Sequence, residues 1–200
     1  MRADGSVGRR KVVLLASVLV LVHVFASVVR ASATGDDPRI ARIRAWYVAT
    51  EKSLARYRVV RRDLAEFSSQ GAVLTAWFAG DTLVKLNGVY YEDEGRATDD
   101  FYVRDDSVYF VSHIVGKYSL SMDGRLIHRV QYRMYFDHDT LIRWIDTTGK
   151  NLPLKSAAAD STAKRDLAVA RILIDCATLE GPAQACIAPS SDTASGPLAR

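Results

Sequence analysis

The sequence predicts an α+β protein in which an N-terminal amphipathic helix packs on a roughly six-stranded antiparallel meander sheet, followed by a C-terminal helix. Three observations support this fold class. Apolar residues recur at three- and four-residue steps from Pro38 to about Arg62. From Ala72 to Asp146 they alternate with polar residues, and turn residues interrupt the pattern at short intervals. Helical spacing returns near residues 160 to 180, so residues 34–186 are predicted to form one domain.

Residues 1–33 are predicted to be a secretory signal peptide. A basic start precedes an apolar run from Val12 to Val29, and the small residues Ala31-Ser32-Ala33 end the segment. Cleavage there would leave a mature protein that begins at Thr34. The apolar run could also just span a bilayer, so an uncleaved anchor is the alternative. We therefore expect an exported protein, periplasmic or extracellular, with membrane contact only through an uncleaved segment.

The charge balance depends on that segment. The whole chain has 27 Lys and Arg residues and 23 Asp and Glu residues. Five of the basic residues and one of the acidic residues lie in residues 1–33, which leaves 22 of each in the predicted mature protein. Without a basic excess, nucleic acid is not an expected partner.

The first helix is predicted to start at Asp37-Pro38, because Asp is a good N-cap and Pro suits the first helical position. It is expected to reach about Arg62, with an apolar stripe made of Ile40, Ile43, Tyr47, Leu54 and Tyr57. Its other faces are rich in arginine. They are interpreted as a solvated surface, with an anion-binding or membrane-surface patch as the alternative.

Six strands are predicted between Ala72 and Asp146, each bounded by turn residues. Their sequences are AVLTAWF, LVKLNGVYY, TDDFYV, VYFVSHIV, LIHRVQYRMYF and LIRWID. Short turns favour antiparallel neighbours, since parallel strands need long crossover connections. One longer or irregular connection is expected around GKYSLS, at residues 116–121.

Alternation on the fifth predicted strand separates two faces of the sheet. One face carries Leu126, His128, Val130, Tyr132, Met134 and Phe136, and we expect the two helices to cover it. The other face is predicted to be open and to bind a partner, because Arg and Tyr are enriched at interaction hot spots. The candidate binding residues are Arg129, Gln131, Arg133 and Tyr135, with Arg143 on the next strand.

The C-terminal helix is predicted to begin near Asp160-Ser161 and to end at Gly181-Pro182, with Leu167, Ala170, Ile174 and Ala177 on its apolar stripe. Cys176 and Cys186 are predicted to form one disulfide in an exported protein, with two unpaired thiols as the alternative. Residues 187–200 are predicted to be a disordered tail.

Hairpin units with Gly-Arg pairs, at Gly95-Arg96 and Gly124-Arg125, give residues 72–147 a repeated appearance. This region resembles MORN-like repeat proteins and, more broadly, uncharacterised exported meander proteins of bacteria. The resemblance implies a scaffold or interaction module rather than an enzyme.

No catalytic, phosphate-binding or dinucleotide-binding motif occurs in the sequence, so no catalytic residue and no cofactor is predicted. Asp137-His138-Asp139 is interpreted as a hairpin turn rather than a metal site, and no metal is predicted. His113 and His128 lie on strands and are interpreted as ordinary sheet residues.

Three functional hypotheses remain. The leading one is an exported, non-enzymatic binding or scaffold protein of the bacterial cell envelope, whose partner is an unidentified protein or envelope component. The second is a carrier that holds an apolar ligand between the sheet and the helix. The third is a hydrolase with an unrecognised site assembled from scattered Asp, His and Tyr residues.

Overall fold

The computed structural model describes residues 37–64, 66–119, 125–179 and 186. The predicted signal peptide, the predicted tail and residues 120–124 of the predicted irregular connection lie outside these residues. Within the described residues, no helix combines the length and the apolar character that crossing a bilayer requires.

The described residues form two α helices, one short 3₁₀ helix and seven strands. The helices are α1 (Pro38–Ser53), the 3₁₀ turn Leu54–Arg56 and α2 (Ala157–Thr178). The strands are β1 (Arg58–Leu64), β2 (Ala72–Ala79), β3 (Thr82–Glu92), β4 (Gly95–Arg104), β5 (Ser107–Tyr118), β6 (Leu126–Asp137) and β7 (Thr140–Ile145).

The seven strands form one antiparallel sheet in the order β1-β2-β3-β4-β5-β6-β7. The α+β class, the meander and the two helices predicted from the sequence are therefore confirmed. All six predicted strands are present, as β2 to β7. The predicted strand number is wrong by one, because β1 precedes them.

The error lies at the end of the first helix. The helix was expected to reach about Arg62, but α1 ends at Ser53 and the chain continues as a strand from Arg58. Strand β1 pairs with β2 along its whole length, from Arg58 opposite Phe78 to Leu64 opposite Ala72. This pairing satisfies backbone groups at the edge of β2 and buries Leu64, which the helical spacing of the local sequence does not reveal.

The sheet is covered on both faces, so the predicted open face is wrong. On one face, here called the α2 face, helix α2 packs through Ala170 and Leu173 against a core that includes Phe101, Met134 and Phe136. On the opposite face, here called the α1 face, Ile40 and Ile43 of α1 pack in a second core. The sheet residues of that second core are Tyr102, Tyr109, Phe110, Tyr135 and Ile145.

The aromatic residues of the α1 face explain why it needs a helix. Tyr102 and Phe110 lie opposite each other on β4 and β5, and Phe110 lies opposite Tyr135 on β6. Their rings are in contact, with centroids 5.4 Å and 4.9 Å apart. Tyr47 of α1 covers this row at 5.1 Å from Tyr102 and 5.3 Å from Phe110. A row of large rings across three strands would expose too much apolar surface without a cover.

The basic surface of α1 is solvated, in agreement with the favoured interpretation, and also makes ion pairs. Arg39 and Arg42 are about half exposed and contact the Asp137 carboxylate at 3.3 Å and 3.4 Å. Exposed pairs of this kind each contribute little to stability. They nevertheless place the start of α1 over the β6–β7 hairpin.

Helix α2 begins at Ala157, three residues earlier than predicted, because Ser156 is its N-cap. The Ser156 hydroxyl oxygen accepts a hydrogen bond from the Ala159 amide at 3.1 Å. Of the predicted stripe, Ala170 and Ala177 are buried, whereas Leu167 and Ile174 are partly buried beside the core.

Cys176 and Cys186 are both buried and both free thiols in the structure. The two thiols are near each other. Burial, together with the hydrogen bond between Cys176 and Cys186, raises the pKa of the Cys176 thiol to about 12. Burial of two adjacent thiols is compatible with oxidation to a disulfide when the protein is exported, and that bond stays a prediction.

We expect the exported protein, unfolded without reductant, to show no free thiol on titration. The disulfide would close a short loop and stabilise the fold by at most about 3 kcal/mol. Protein kept reduced is the control and should titrate both thiols. Two free thiols in the exported material would rule the bond out.

Candidate functional site

A pocket of about 530 Å³ lies between helix α1 and the α1 face of the sheet. Side chains from α1 form one wall and side chains from four strands form the floor. The wall consists of Arg44, Tyr47, Val48 and Glu51, and the floor of Lys85, Asp100, Tyr102, Phe110, Ser112, Ile114, Gln131, Arg133 and Tyr135.

The strand register arranges the floor in rows across the sheet. One row contains Asp100 of β4, Ser112 of β5 and Arg133 of β6, each directly opposite the next. The neighbouring row contains the aromatic residues Tyr102, Phe110 and Tyr135, and on the other side Ile114 lies opposite Gln131. Adjacent strands are about 4.8 Å apart, so Asp100 and Arg133 stand about 10 Å from each other along their row.

Lys85 organises the β3–β4 end of the pocket. Its Nζ lies 2.9 Å from Glu51 of α1 and 3.3 Å from Asp100. The Tyr102 hydroxyl donates a hydrogen bond to the same Glu51 oxygen at 2.8 Å, and the Asn87 amide donates to Asp100 at 3.0 Å. Burial, together with these carboxylates, raises the pKa of Tyr102 above its ordinary value. The network ties α1 to the sheet and satisfies both carboxylates.

The β5–β6 end of the pocket is different, because its cation, Arg133, has no partner among the described residues. The buried Nε of Arg133 has no hydrogen-bond partner among the residues that the structure describes. Beside it, the Gln131 side-chain amide donates to the Ser112 hydroxyl oxygen at 3.1 Å. The pocket therefore has a neutralised end at Lys85 and a positively charged end at Arg133.

The structure brings together three of the five predicted binding residues, because Gln131, Arg133 and Tyr135 line the pocket. They lie beneath a helix rather than on an open face. Arg129 is exposed on the same strand but does not line the pocket. Arg143 does not line it either, and its Nε donates a hydrogen bond to the Asn151 side-chain oxygen at 2.9 Å.

Sequence reasoning missed the wall of the pocket and its β3–β4 end. Alternation on β3 and β4 could have placed Lys85, Asp100 and Tyr102 on one face of the sheet. It could not have shown that Glu51 of the first helix meets them, because that contact depends on which face each helix covers.

A second cavity, of about 400 Å³, lies along another side of α1. Trp46, Tyr57, Arg104 and Tyr109 are among its lining residues. The Arg104 guanidinium lies over the Trp46 ring, 4.7 Å from its centroid. The Arg104 guanidinium therefore already has a cation–π partner.

A buried polar cluster lies on the opposite side of the sheet, beneath α2. Asp99 of β4 and His113 of β5 are directly opposite in the register, and His113 Nδ1 donates a hydrogen bond to the Asp99 carboxylate. Asp166 of α2 and Tyr90 of β3 complete the cluster. The Tyr90 hydroxyl fills the space above Gly88, where a Cβ would be only 2.6 Å from it.

Burial and the contact with Asp99 determine the pKa values in this cluster. Burial raises the pKa of Asp166 to about 6, although the neighbouring Arg165 opposes the shift. Burial alone would lower the pKa of His113, but its hydrogen bond to Asp99 and the charge of Asp99 raise it above its ordinary value. Asp166 Oδ2 is buried and has no hydrogen-bond partner within the described part of the chain, and the Tyr90 hydroxyl is buried close to Asp99.

Across residues 37–64, 66–119, 125–179 and 186, no three His, Cys, Asp or Glu side chains are placed as a set of metal ligands. Asp137 instead accepts the two arginines of α1. His138 and Asp139 form the β6–β7 turn in left-handed backbone conformations, with φ of 48° and 60°.

Comparison with known proteins gives no match for this chain among family models, curated proteins or solved structures. The resemblance to MORN-like hairpin proteins stays a prediction.

Proposed function

We propose that this chain is an exported, non-enzymatic binding protein that holds a small ligand in the pocket beneath α1. The observation that carries the proposal is the pocket itself, a partly enclosed volume of about 530 Å³ between a helix and a sheet. Ligand sites commonly occupy about 300 to 1,000 Å³ and combine apolar walls with a few polar groups. Tyr47, Val48 and Ile114 supply the apolar part, and Ser112 and Arg133 supply polar groups.

The position of the candidate residues favours a small ligand over a flat protein partner. Gln131, Arg133 and Tyr135 line a concave site under α1, where the surface of a folded protein would not reach them easily. The pocket also contains five charged side chains, namely Arg44, Glu51, Lys85, Asp100 and Arg133. A purely apolar cargo would desolvate the Arg133 guanidinium, which has no acceptor among the described residues, and that is costly. The ligand therefore has a polar group, in contrast to the apolar cargo of the carrier hypothesis.

The hydrolase hypothesis would use the cluster of Asp99, His113 and Asp166. An Asp–His pair can orient an imidazole for acid–base work. Asp99 and Asp166 are only 7% and 6% exposed, and α2 lies over them. A substrate would have to displace part of the main core to reach them. The cluster is better explained as part of the contact between α2 and the sheet.

The proposed location outside the cytoplasm rests on the apolar run Val12–Val29 and the small residues Ala31-Ser32-Ala33. The implied likeness to MORN-like interaction modules is in keeping with a non-enzymatic role. An envelope component or a small molecule that crosses the envelope would then be the partner.

A substitution that fills the pocket tests the proposal. Val48 lines the pocket but is 43% exposed, so Val48→Trp should block the site while leaving stability within about 0.5 kcal/mol. Val59, 46% exposed on β1, does not line the pocket, and Val59→Trp is the matched control. We expect small molecules that raise the melting temperature of the wild-type chain to do so for Val59→Trp but not for Val48→Trp.

Two results would contradict the proposal. One is a library of small molecules in which none stabilises the wild-type chain. The other is a set of stabilising compounds that act equally on all three proteins, because their site would then lie elsewhere.

A further inference from the structure

We propose that the ligand of the pocket beneath α1 is a small organic carboxylate whose anionic group sits against Arg133. This inference rests on the proposed function and adds the chemical class of the ligand. It depends on the distribution of charge within the pocket, on the partners of each charged group and on the hydroxyl beside Arg133.

Arg133 is a cation prepared for an anion. Its side chain is half-buried and lines the pocket, and no described residue accepts a hydrogen bond from it or forms a salt bridge with it. Its Nε is enclosed by protein atoms, so the part of the guanidinium that faces the pocket is its terminal nitrogens. A half-buried cation without an acceptor is unfavourable, and an oxyanion in the pocket would supply hydrogen-bond acceptors to these nitrogens. The planar, multi-donor guanidinium suits the two oxygens of a carboxylate.

The acids of the pocket do not compete for this position. Asp100 lies two strands away from Arg133, in the same row. It already contacts Lys85 at 3.3 Å and accepts a hydrogen bond from Asn87 at 3.0 Å. Glu51 is held by Lys85 at 2.9 Å and by the Tyr102 hydroxyl at 2.8 Å. Their charges are thus compensated at the far end of the pocket.

Ser112 supplies a second donor at the charged end. It lies directly opposite Arg133 on β5, and its side chain lines the pocket. Its oxygen accepts a hydrogen bond from the Gln131 amide at 3.1 Å, so the hydroxyl hydrogen is left to donate to a ligand. One carboxylate can therefore receive hydrogen bonds from both Arg133 and Ser112.

The rest of the pocket defines the body of the ligand. Tyr47 and Val48 on the wall and Ile114 and Tyr135 on the floor offer apolar and aromatic surface. These groups suit a compact aromatic or aliphatic tail attached to the carboxylate.

Matched pairs of probes test the class of ligand. Benzoate, phenylacetate and hexanoate would each be compared with the corresponding neutral amide, by calorimetric titration of the full chain. We expect carboxylates to bind more tightly than their amides. Arg133→Met, which keeps the length of the side chain, should weaken carboxylate binding about tenfold or more, since a hydrogen bond to a charged group is lost.

Arg129→Met is the matched control, because Arg129 lies on the same strand, is exposed and does not line the pocket. It should leave carboxylate affinity unchanged. Ser112→Ala should weaken carboxylate binding a few-fold, as expected for one neutral donor, and serves as the test if Arg133→Met does not fold.

The outcomes separate this inference from the proposed function. If carboxylates and amides bind equally well and Val48→Trp blocks both, the pocket binds ligands but the carboxylate class is wrong. If carboxylates bind better but Arg133→Met and Ser112→Ala leave that preference intact, the anion sits elsewhere and the inference is wrong. If no carboxylate binds the wild-type chain, the inference is overturned as well.

Discussion

Replacing Phe136 with alanine should lower the free energy of unfolding by about 3 to 5 kcal/mol. Phe136 is 1% exposed and lies in the core between the α2 face of the sheet and α2. Truncation removes its favourable transfer from water and leaves a cavity that the surrounding strands and helix cannot fully fill. Urea denaturation of the variant and the wild-type chain measures the loss.

Tyr132→Ala is the matched comparison, because Tyr132 shares the face and the strand with Phe136. Alternation alone predicts the same burial for both. In the structure Tyr132 is only half-buried, with its ring 6.1 Å from that of Trp144. We therefore expect a clearly smaller loss. Tolerance of Phe136→Ala together with unfolding of Arg129→Ala would mean that the two faces are assigned the wrong way round.

The strands could be predicted because their signals are local. Two of the predicted turns use residues that accept left-handed backbone conformations, Asp105-Asp106 with φ of 50° and 58° and His138-Asp139 with φ of 48° and 60°. Two-residue hairpins need such conformations, and Asp tolerates them better than most residues. Alternating apolar residues between the turns then determine strand bounds within a few residues.

Strand β1 could not be predicted because its signal is not local. Leu54 and Tyr57 extend the helical spacing of α1, and nothing nearby indicates that Arg58–Leu64 pairs with β2. The coverage of the sheet was missed for a related reason. The fifth predicted strand alone contrasts an apolar face with a basic one, whereas Tyr102 and Phe110 on other strands make the second face aromatic.

The candidate site was therefore half predictable. Alternation on β6 correctly grouped Gln131, Arg133 and Tyr135. It also included Arg129, which lies beyond the pocket. Alternation shows which face of a strand a residue is on, but not how far along the strand a covering helix extends. Residues such as Glu51 enter the site only through the packing of α1.

Replacing Asp166 with asparagine should flatten the dependence of stability on pH. Asp166 is 6% exposed and its pKa is raised to about 6 from an ordinary value of 3.8. Between about pH 4 and pH 6, the folded state therefore binds more protons than the unfolded chain. Stability contributed by the protonated carboxyl is complete below this window and is lost as the pH rises through it, by about 3 kcal/mol in total.

His113 acts in the same direction, since its pKa is also raised and its charged form beside Asp99 is lost as the pH rises further. Other carboxylates titrate in the same range, so the informative quantity is the difference between the wild-type chain and Asp166→Asn. We expect that difference in unfolding free energy, from urea denaturation, to shift in favour of the variant by about 3 kcal/mol between pH values below and above the window.

Asp175→Asn, at an exposed position of the same helix, is the control and should follow the wild-type profile. An unchanged pH profile in Asp166→Asn would show that the buried carboxyl of α2 does not hold a proton at pH 5, and that its charge is accommodated by Arg165 and His113 instead.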